Sequence, residues 1–304
     1  MLVRAFVPAH ITAFFVPVFH DDPLKTGSLG AGINLTKGTN VFVSIETGTL
    51  ERHIHVAFNG EPVKRENAVI SYSVAERLVP EGFIGEVEIW QYFDFPNGYG
   101  FGNSAGGALG TALTLSYRFG GTWLRAAQIA HEAEVRHRGG LGDVIAQLAG
   151  GIEVRVKAGG PGIGVVDNLF FGDYKVLVVP LGKLSTREVL DGDVVKAIEA
   201  EGSKALEKLL AEPTPERMMA LAREFAEKTG LLSGELLELA RELDKVISTP
   251  SSMIMLGKGL FALVRGEEVE SAKRLLTDLG VPYDVTEIYE GKPKVGRWFE
   301  GDAK

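Results

Sequence analysis

Ser104, Glu134 and Asp143 are the side chains whose types and setting could do chemistry together. Ser104 sits in Pro96-Asn97-Gly98-Tyr99-Gly100-Phe101-Gly102-Asn103-Ser104-Ala105-Gly106-Gly107, twelve residues that hold five glycines. Glycines let backbone N–H groups close on an anion, and a helix beginning there adds positive potential. Glu134 lies on a later helical segment, and Asp143 follows nine residues on, past Gly139-Gly140. Phosphoryl transfer needs an acidic side chain to hold Mg2+ on a triphosphate, and often a second to accept or orient the nucleophile's proton. A hydroxyl such as that of Ser104 can add a further metal ligand. Taken singly, Glu134 reads as a solvated helix residue and Asp143 as a helix N-cap. The glycine loop is what joins them into a site.

His131 and Arg155 are cations that could grip a substrate carboxylate, Arg155 through its bidentate fork. The alternative is an ion pair with Glu134 or Glu153. His10, after Pro8-Ala9, reads as a strand-end histidine. His131 with His137 lacks the Glu and the spacing of a zinc-protease helix, so no zinc site is expected. No Lys follows the glycines, which argues against a Walker loop. The dinucleotide pattern G-x-G-x-x-A fits Gly100, Gly102 and Ala105, but it fits Gly257, Gly259 and Ala262 as well. A dinucleotide site needs an acid ending the next strand about 20 residues on, and the next segment here is helical.

These residues must be positioned by the rest of the chain. Its 304 residues, 45% hydrophobic and 24% charged, have room for one large or two medium domains around a sizeable core. Thirty-two basic against 40 acidic side chains leave a net charge of −8, with no basic block, which argues against a nucleic-acid partner. Absence of cysteine excludes disulfides, thiolate metal sites and Cys nucleophiles. The apolar stretch 2–19 is interrupted by Pro8, His10 and Pro17 and is read as strand and loop, not as a signal peptide. No apolar run approaches the roughly 18 residues of a membrane helix. The expected location is the cytoplasm.

Periodicity assigns the elements. Residues 1–19 are read as a strand turning at Pro8, 20–32 as a polar, glycine-rich loop, and 41–58 as a β-hairpin joined through Gly48. A short helix is expected over 67–79 and a strand over 85–93, where Glu86 and Glu88 alternate with Val87 and Ile89. After the glycine loop, 105–115 reads as a buried helix. Thr122 caps another, whose apolar face is Ala126, Ile129, Ala130 and Ala133. Residues 139–164 hold nine glycines, a short helix over 141–148 and a strand over 152–157 with Arg155 on its polar side. The second half opens on a strand over 174–180, followed by helices at 186–210, 215–229 and 234–247. The tail reads strand (252–256), strand (260–264), helix (269–279), strand (283–289), a ββαβ unit of an α+β layer.

The loop Pro96 to Ala105 resembles the ATP loop of the GHMP kinases, the family of galactokinase, homoserine kinase and mevalonate kinase. Phe6-Val7-Pro8-Ala9-His10-Ile11-Thr12 stands where the family's N-terminal motif belongs, and 252–263 where its C-terminal glycine-rich motif belongs. The match spans the chain and keeps the order of the motifs. Pro8-Ala9-His10-Ile11-Thr12, residues 22–32 and Asn103-Ser104-Ala105-Gly106-Gly107 are most similar to the archaeal branch that phosphorylates the primary hydroxyl of pantoate with ATP. His10 departs from the Lys or Arg of the first motif, Phe101 and Asn103 from the usual Leu and Ser, and the C-terminal motif is poor in glycine.

The resemblance implies an α+β fold: a ribosomal-protein-S5-like ATP-binding domain over 1–165 and a ferredoxin-like domain over 166–304, with the active site between them. It implies ATP, bound by Pro96, Asn97, Gly98, Gly100, Gly102, Asn103, Ser104 and Ala105. It implies Mg2+ on Ser104 and Glu134, Asp143 as the catalytic aspartate, and substrate contacts from Ser28, His131 and Arg155. A homodimer is the corresponding expectation for assembly. The alternatives are a GHMP kinase for shikimate, homoserine or mevalonate, and a non-catalytic ATP-binding regulatory protein.

Overall fold

The computed structural model describes residues 2–48, 50–184 and 193–299. Its longest feature is a hairpin of β1 (Val3–Val18) and β2 (Gly27–Thr47), paired from Val3↔Val43 to Val18↔Gly27. The turn expected at Pro8 is instead a register shift between Pro8 and Ala9 within a continuing strand. Proline has no N–H for the ladder, so a bulge is where a strand tolerates it. The loop expected over 20–32 is also shorter. Only residues 19–26 leave the strands, and 27–32 continue β2. Glycine makes this possible at Gly30, whose φ of 137° and bare Cα let the carbonyl of Phe14 lie against it.

The first sheet is completed by β3 (Arg52–Phe58), β4 (Glu61–Pro62), β5 (Gly85–Phe93), β6 (Ile152–Lys157), β7 (Val165–Leu169) and β12 (Lys294–Arg297). Its order is β12-β1-β2-β5-β3-β4, with β6 on the other end of β2 and β7 beyond it. The hairpin expected over 41–58 does not form. β5 lies between β2 and β3, and β3 pairs with β5 in parallel, Arg52↔Gly85 to Phe58↔Gln91. The alternating pattern was right for both strands. Their partner was set by the crossover through α1 (Val69–Leu78), which returns the chain to the sheet in the same direction.

One face of this sheet carries α1, α2 (Asn103–Phe119), α3 (Trp123–Arg136) and α4 (Asp143–Ala149). Their shared core joins Ala5 and Val7 of β1 to Ala108, Leu109 and Ala112 of α2 and to Ala126, Ala130 and Ala133 of α3. Small residues bring α2 close to the strands. A Cβ at Gly110 would collide with Val41 Cγ2, and one at Gly106 would stand 2.6 Å from Thr39 Oγ1. The predicted face of α3 is buried, and Thr122 Oγ1 accepts the Arg125 N–H at 3.2 Å.

The second sheet is antiparallel, in the order β11 (Asp284–Glu287), β8 (Lys175–Lys183), β10 (Gly257–Val264), β9 (Ser252–Met253). This fourth-first-third-second order, with α8 (Gly266–Asp278) before the last strand, is ferredoxin-like. Between β8 and β9 stand α5 (Asp193–Ala211), α6 (Pro215–Lys228) and α7 (Gly234–Leu243). Residues 185–192, where a helix was expected to begin, lie outside the described residues. Pro215 opens α6 behind the Thr214 cap, as its sequence position requires.

The two sheets share one core. Phe14 and Phe15, at the far end of the hairpin, pack on Phe225 of α6 at centroid distances of 6.3 and 6.0 Å. The first sheet keeps residues 165–169 and takes back 294–297, which pair with β1 from Phe6↔Lys294 to Val3↔Arg297.

Candidate active site

The glycine loop joins β5 to α2. Gly98, Gly100 and Gly102 take φ values of 84°, 83° and 65°, left-handed conformations that L side chains resist. At Gly100 a Cβ would also stand 2.6 Å from the carbonyl of Met255. Gly102 is the N-cap of α2 and has no side chain to cap it, so the first-turn N–H groups of Asn103, Ser104 and Ala105 are left for a ligand. A cavity of about 480 Å³ opens onto these groups. Glu134 and Asp143 face it at the same end as Ser104, while Phe58, Val63 and Val69 make an apolar wall farther along.

The residues that departed from the family pattern hold the loop. Phe101 is buried and stacks on Phe95 at 4.0 Å, nearly parallel. Asn103 turns inward, its amide donating to the Phe95 carbonyl at 2.7 Å and to Asn97 Oδ1 at 2.8 Å. Asn103 therefore offers a ligand its backbone N–H and not its side chain. Gln147 of α4 donates to the Gly102 carbonyl at 3.1 Å. Of the expected ATP contacts, Asn97, Gly98, Gly100, Gly102, Asn103, Ser104 and Ala105 line the cavity, and Pro96 stands exposed beside it. Leu256, also on the cavity lip, has a φ of 61° in the stretch read as the third motif.

Ser104 and Glu134, thirty residues apart, meet because α2 and α3 pack together. Ser104 Oγ donates to Glu134 Oε1 at 2.5 Å, and the Gly140 N–H donates to Oε2 at 2.6 Å. Glu134 is buried, and that burial raises its pKa to about 7 against these two hydrogen bonds, with the charge of Asp143 adding to the rise. No Lys, Arg or His among the described residues forms an ion pair with it.

Asp143, the first residue of α4, is in the opposite situation. Burial raises its pKa, but a hydrogen bond and charge from His10, with the charge of Arg155, more than reverse this and hold it below the usual carboxylate range. His10 Nδ1 is 2.7 Å from Asp143 Oδ1, and His10 Nε2 is 3.0 Å from Glu153 Oε1. Arg155 Nη1 donates to that same Glu153 oxygen. His10, Glu153 and Arg155 are all fully buried. The alternation of 152–157 did place Arg155 on the polar face of its strand, but that face meets His10 and not water. Arg155 also adjoins Ser28: a Cβ on Gly142 would collide with Ser28 Oγ and stand 3.0 Å from Arg155 Nε.

His131 does not join this group. Its Nε2–H donates to the carbonyls of Thr26 at 2.9 Å and Pro23 at 3.2 Å, and burial lowers its pKa against those bonds. A neutral ring with its N–H committed to carbonyls cannot serve as the carboxylate-gripping cation expected of it. It fixes the turn between β1 and β2 instead. His10 and Glu153 are what the sequence reading missed. The signals were the absent first-motif cation and the Glu153-x-Arg155 alternation.

Residues 69–151, which hold the loop, Glu134 and Asp143, match the GHMP kinases N terminal domain. The chain is 82% identical to pantoate kinase of Thermococcus kodakarensis over 98% of its own length and 99% of the relative's. A solved phosphotransferase related to the coenzyme A biosynthesis pathway superposes with a TM-score of 0.95 at 80% identity, covering 98% of this chain and 99% of that one. Homoserine kinase from Cytophaga hutchinsonii shares the fold at a TM-score of 0.69 and 15% identity, over 97% of both chains. The whole-length kinship and the site geometry agree: the chain is a member of the GHMP kinase family, within its pantoate kinase branch.

Proposed function

We propose that the chain transfers the γ-phosphoryl group of ATP to the primary hydroxyl of pantoate, giving 4-phosphopantoate and ADP on a route to coenzyme A. The observation that carries this reading is the convergence of Ser104, Glu134 and Asp143 on one cavity at the start of α2, in a chain whose near-identical relative is a pantoate kinase. The C4 hydroxyl oxygen forms the new bond to the γ-phosphorus. The bond from that phosphorus to the β–γ bridging oxygen breaks, and ADP leaves with the electron pair. The hydroxyl proton passes to Asp143, whose Oδ1 faces His10 and whose Oδ2 lies against Gly140 in the cavity lining. The first-turn N–H groups of α2 and the loop backbone hold the phosphates and keep water from the transferring group.

The oxygen donors of Ser104 and Glu134 fit Mg2+, and a buried Glu134 without a cationic partner is a carboxylate that a bound cation would complete. Bound there with ATP, Mg2+ would offset charge on the phosphates. Arg155 supports the substrate reading: its Nε is buried without a hydrogen-bond partner among the described residues, next to Ser28 and Gly142. A substrate carboxylate would give that donor an acceptor. The reading carries with it a homodimer in the cytoplasm of an archaeal cell, as the resemblance implies; sedimentation would report the dimer.

The experiment is ADP release measured with pantoate, shikimate, homoserine and mevalonate in parallel. Pantoate is expected to be phosphorylated fastest by a wide margin. An equal rate with another alcohol overturns the assignment of substrate. ATP binding with no turnover on any of them supports the non-catalytic alternative.

A further inference from the structure

His10 stands at the place of the first-motif cation, yet it cannot do what a cation there would do to a phosphate. Its ring is fully buried, does not line the cavity, and has both nitrogens engaged. Both engagements are with carboxylate oxygens, which accept and do not donate when ionised. A neutral imidazole has one N–H and can satisfy one of them. Two N–H groups satisfy both. Charge gives the same answer. With Arg155 on Glu153, an imidazolium brings the quartet Asp143, His10, Glu153 and Arg155 to a net charge of zero, whereas a neutral ring leaves one negative charge of the cluster uncompensated beside two fully buried partners.

The fold makes room for this arrangement. Gly32 of β2, which pairs with Thr12 on one side and Glu153 on the other, leaves the space: a Cβ there would collide with His10 Nε2 and lie 2.7 Å from Glu153 Oε1. The backbone of the same histidine donates to the Phe101 carbonyl at 3.0 Å, which joins β1 to the ATP loop. The ring and the loop are therefore fixed from one residue. Its hold on Oδ1 fixes the rotation of the Asp143 carboxylate and leaves Oδ2 toward the glycine turn before α4, where a Cβ on Gly140 would meet it.

We propose that His10 is a positioning residue: an imidazolium bridging Asp143 and Glu153 that fixes the charge and orientation of the catalytic carboxylate, coupling it through Glu153 to Arg155. This rests on the reading of Asp143 as the base. Among the described residues, charge faces His10 from two elements, Asp143 on α4 and the Glu153–Arg155 pair on β6.

Two measurements test it. The first is nitrogen NMR of histidine-labelled intact protein at neutral pH, with the His10 resonances assigned by their loss in His10→Gln. Both ring nitrogens of His10 are expected to carry protons; a single protonated nitrogen overturns the proposal, whatever any variant does. The second is steady-state kinetics of His10→Gln. Its kcat is expected to fall about 10–100-fold, the size of loss seen when a partner that orients a metal ligand is removed, with KM for ATP and for pantoate changed less than about 3-fold. A kcat within about 2-fold of the parent, or a loss carried wholly by KM, overturns it. Asp143→Asn separates the two readings: if Asp143→Asn keeps its turnover, the base assignment fails, while the NMR result stands or falls by itself.

Discussion

Glu134 and Asp143 are carboxylates at the same end of one cavity, and their surroundings treat them oppositely. Glu134 is fully buried, receives among the described residues only neutral N–H and O–H donors, and holds its proton to about 7. Asp143 is one-fifth exposed to the cavity, faces an imidazole backed by a glutamate and an arginine, and is pushed down. Two carboxylates whose pKa values are driven apart divide their roles. The one that lacks a cation is suited to receive one with ATP. The one already paired is ionised before substrate arrives and can act at once.

The largest effect expected from this division is on turnover. Asp143→Asn should lower kcat by about 10²–10⁴-fold, the range for a general base, with a smaller change in KM. Near-parental turnover would falsify the base assignment and with it the contrast. Next is Glu134→Gln, which keeps the shape of the side chain and removes its charge. The Mg2+ concentration for half-maximal rate should rise by more than about 100-fold, since even outer-shell partners of metal ligands cost 10–100-fold. An unchanged Mg2+ requirement would leave Glu134 as a structural residue.

The stability of the metal-free protein offers a third comparison. Glu134 has its folded pKa raised from 4.5 to about 7, so between those values the folded state binds the extra proton. Stability therefore falls as pH rises through this window, by about 3 kcal/mol at most at about 1.4 kcal/mol per pKa unit. Denaturant titrations across pH 4.5–7 should show this slope in the parent and lack it in Glu134→Gln. Asp143 runs the other way: its folded pKa is depressed, so its contribution is present above its unfolded value and is lost as pH falls through the folded one. The smallest effect belongs to Ser104→Ala, which leaves Glu134 Oε1 without its donor. About 1–2 kcal/mol of stability should be lost in urea titrations above pH 7, where Glu134 is ionised, and less below pH 5.

How much of this was legible in the chain depends on how local each cause is. Strand 85–93, the glycine loop and the face of α3 are written in periodicity and capping residues, and the structure has them. Pairing is not local. Val41, Val43 and Ile54, Val56 alternate as two strands must, but nothing in them says that β5 will lie between. The same limit governed the site. Ser104, Glu134 and Asp143 were legible as residue types in the right order, and the packing of α2, α3 and α4 brings them together. The direction in which a polar strand face points was not legible, so Arg155 was placed on the right face without its burial. His131 misled because a histidine on a helix beside a carboxylate looks the same in sequence whether it serves a ligand or two backbone carbonyls.

The last strand has a consequence for how the chain is made. β1 leaves the ribosome long before residues 294–297, which pair its outer edge at Val3–Phe6. Until residues 294–297 are made, that edge shows open N–H and C=O groups to any other strand it meets. Arg4, whose guanidinium lies 4.6 Å from the ring of Trp298, gains this neighbour equally late. A nascent chain stalled before residue 294 would hold the ATP loop, Glu134 and Asp143 complete in sequence and still carry the adhesive edge of an unfinished sheet.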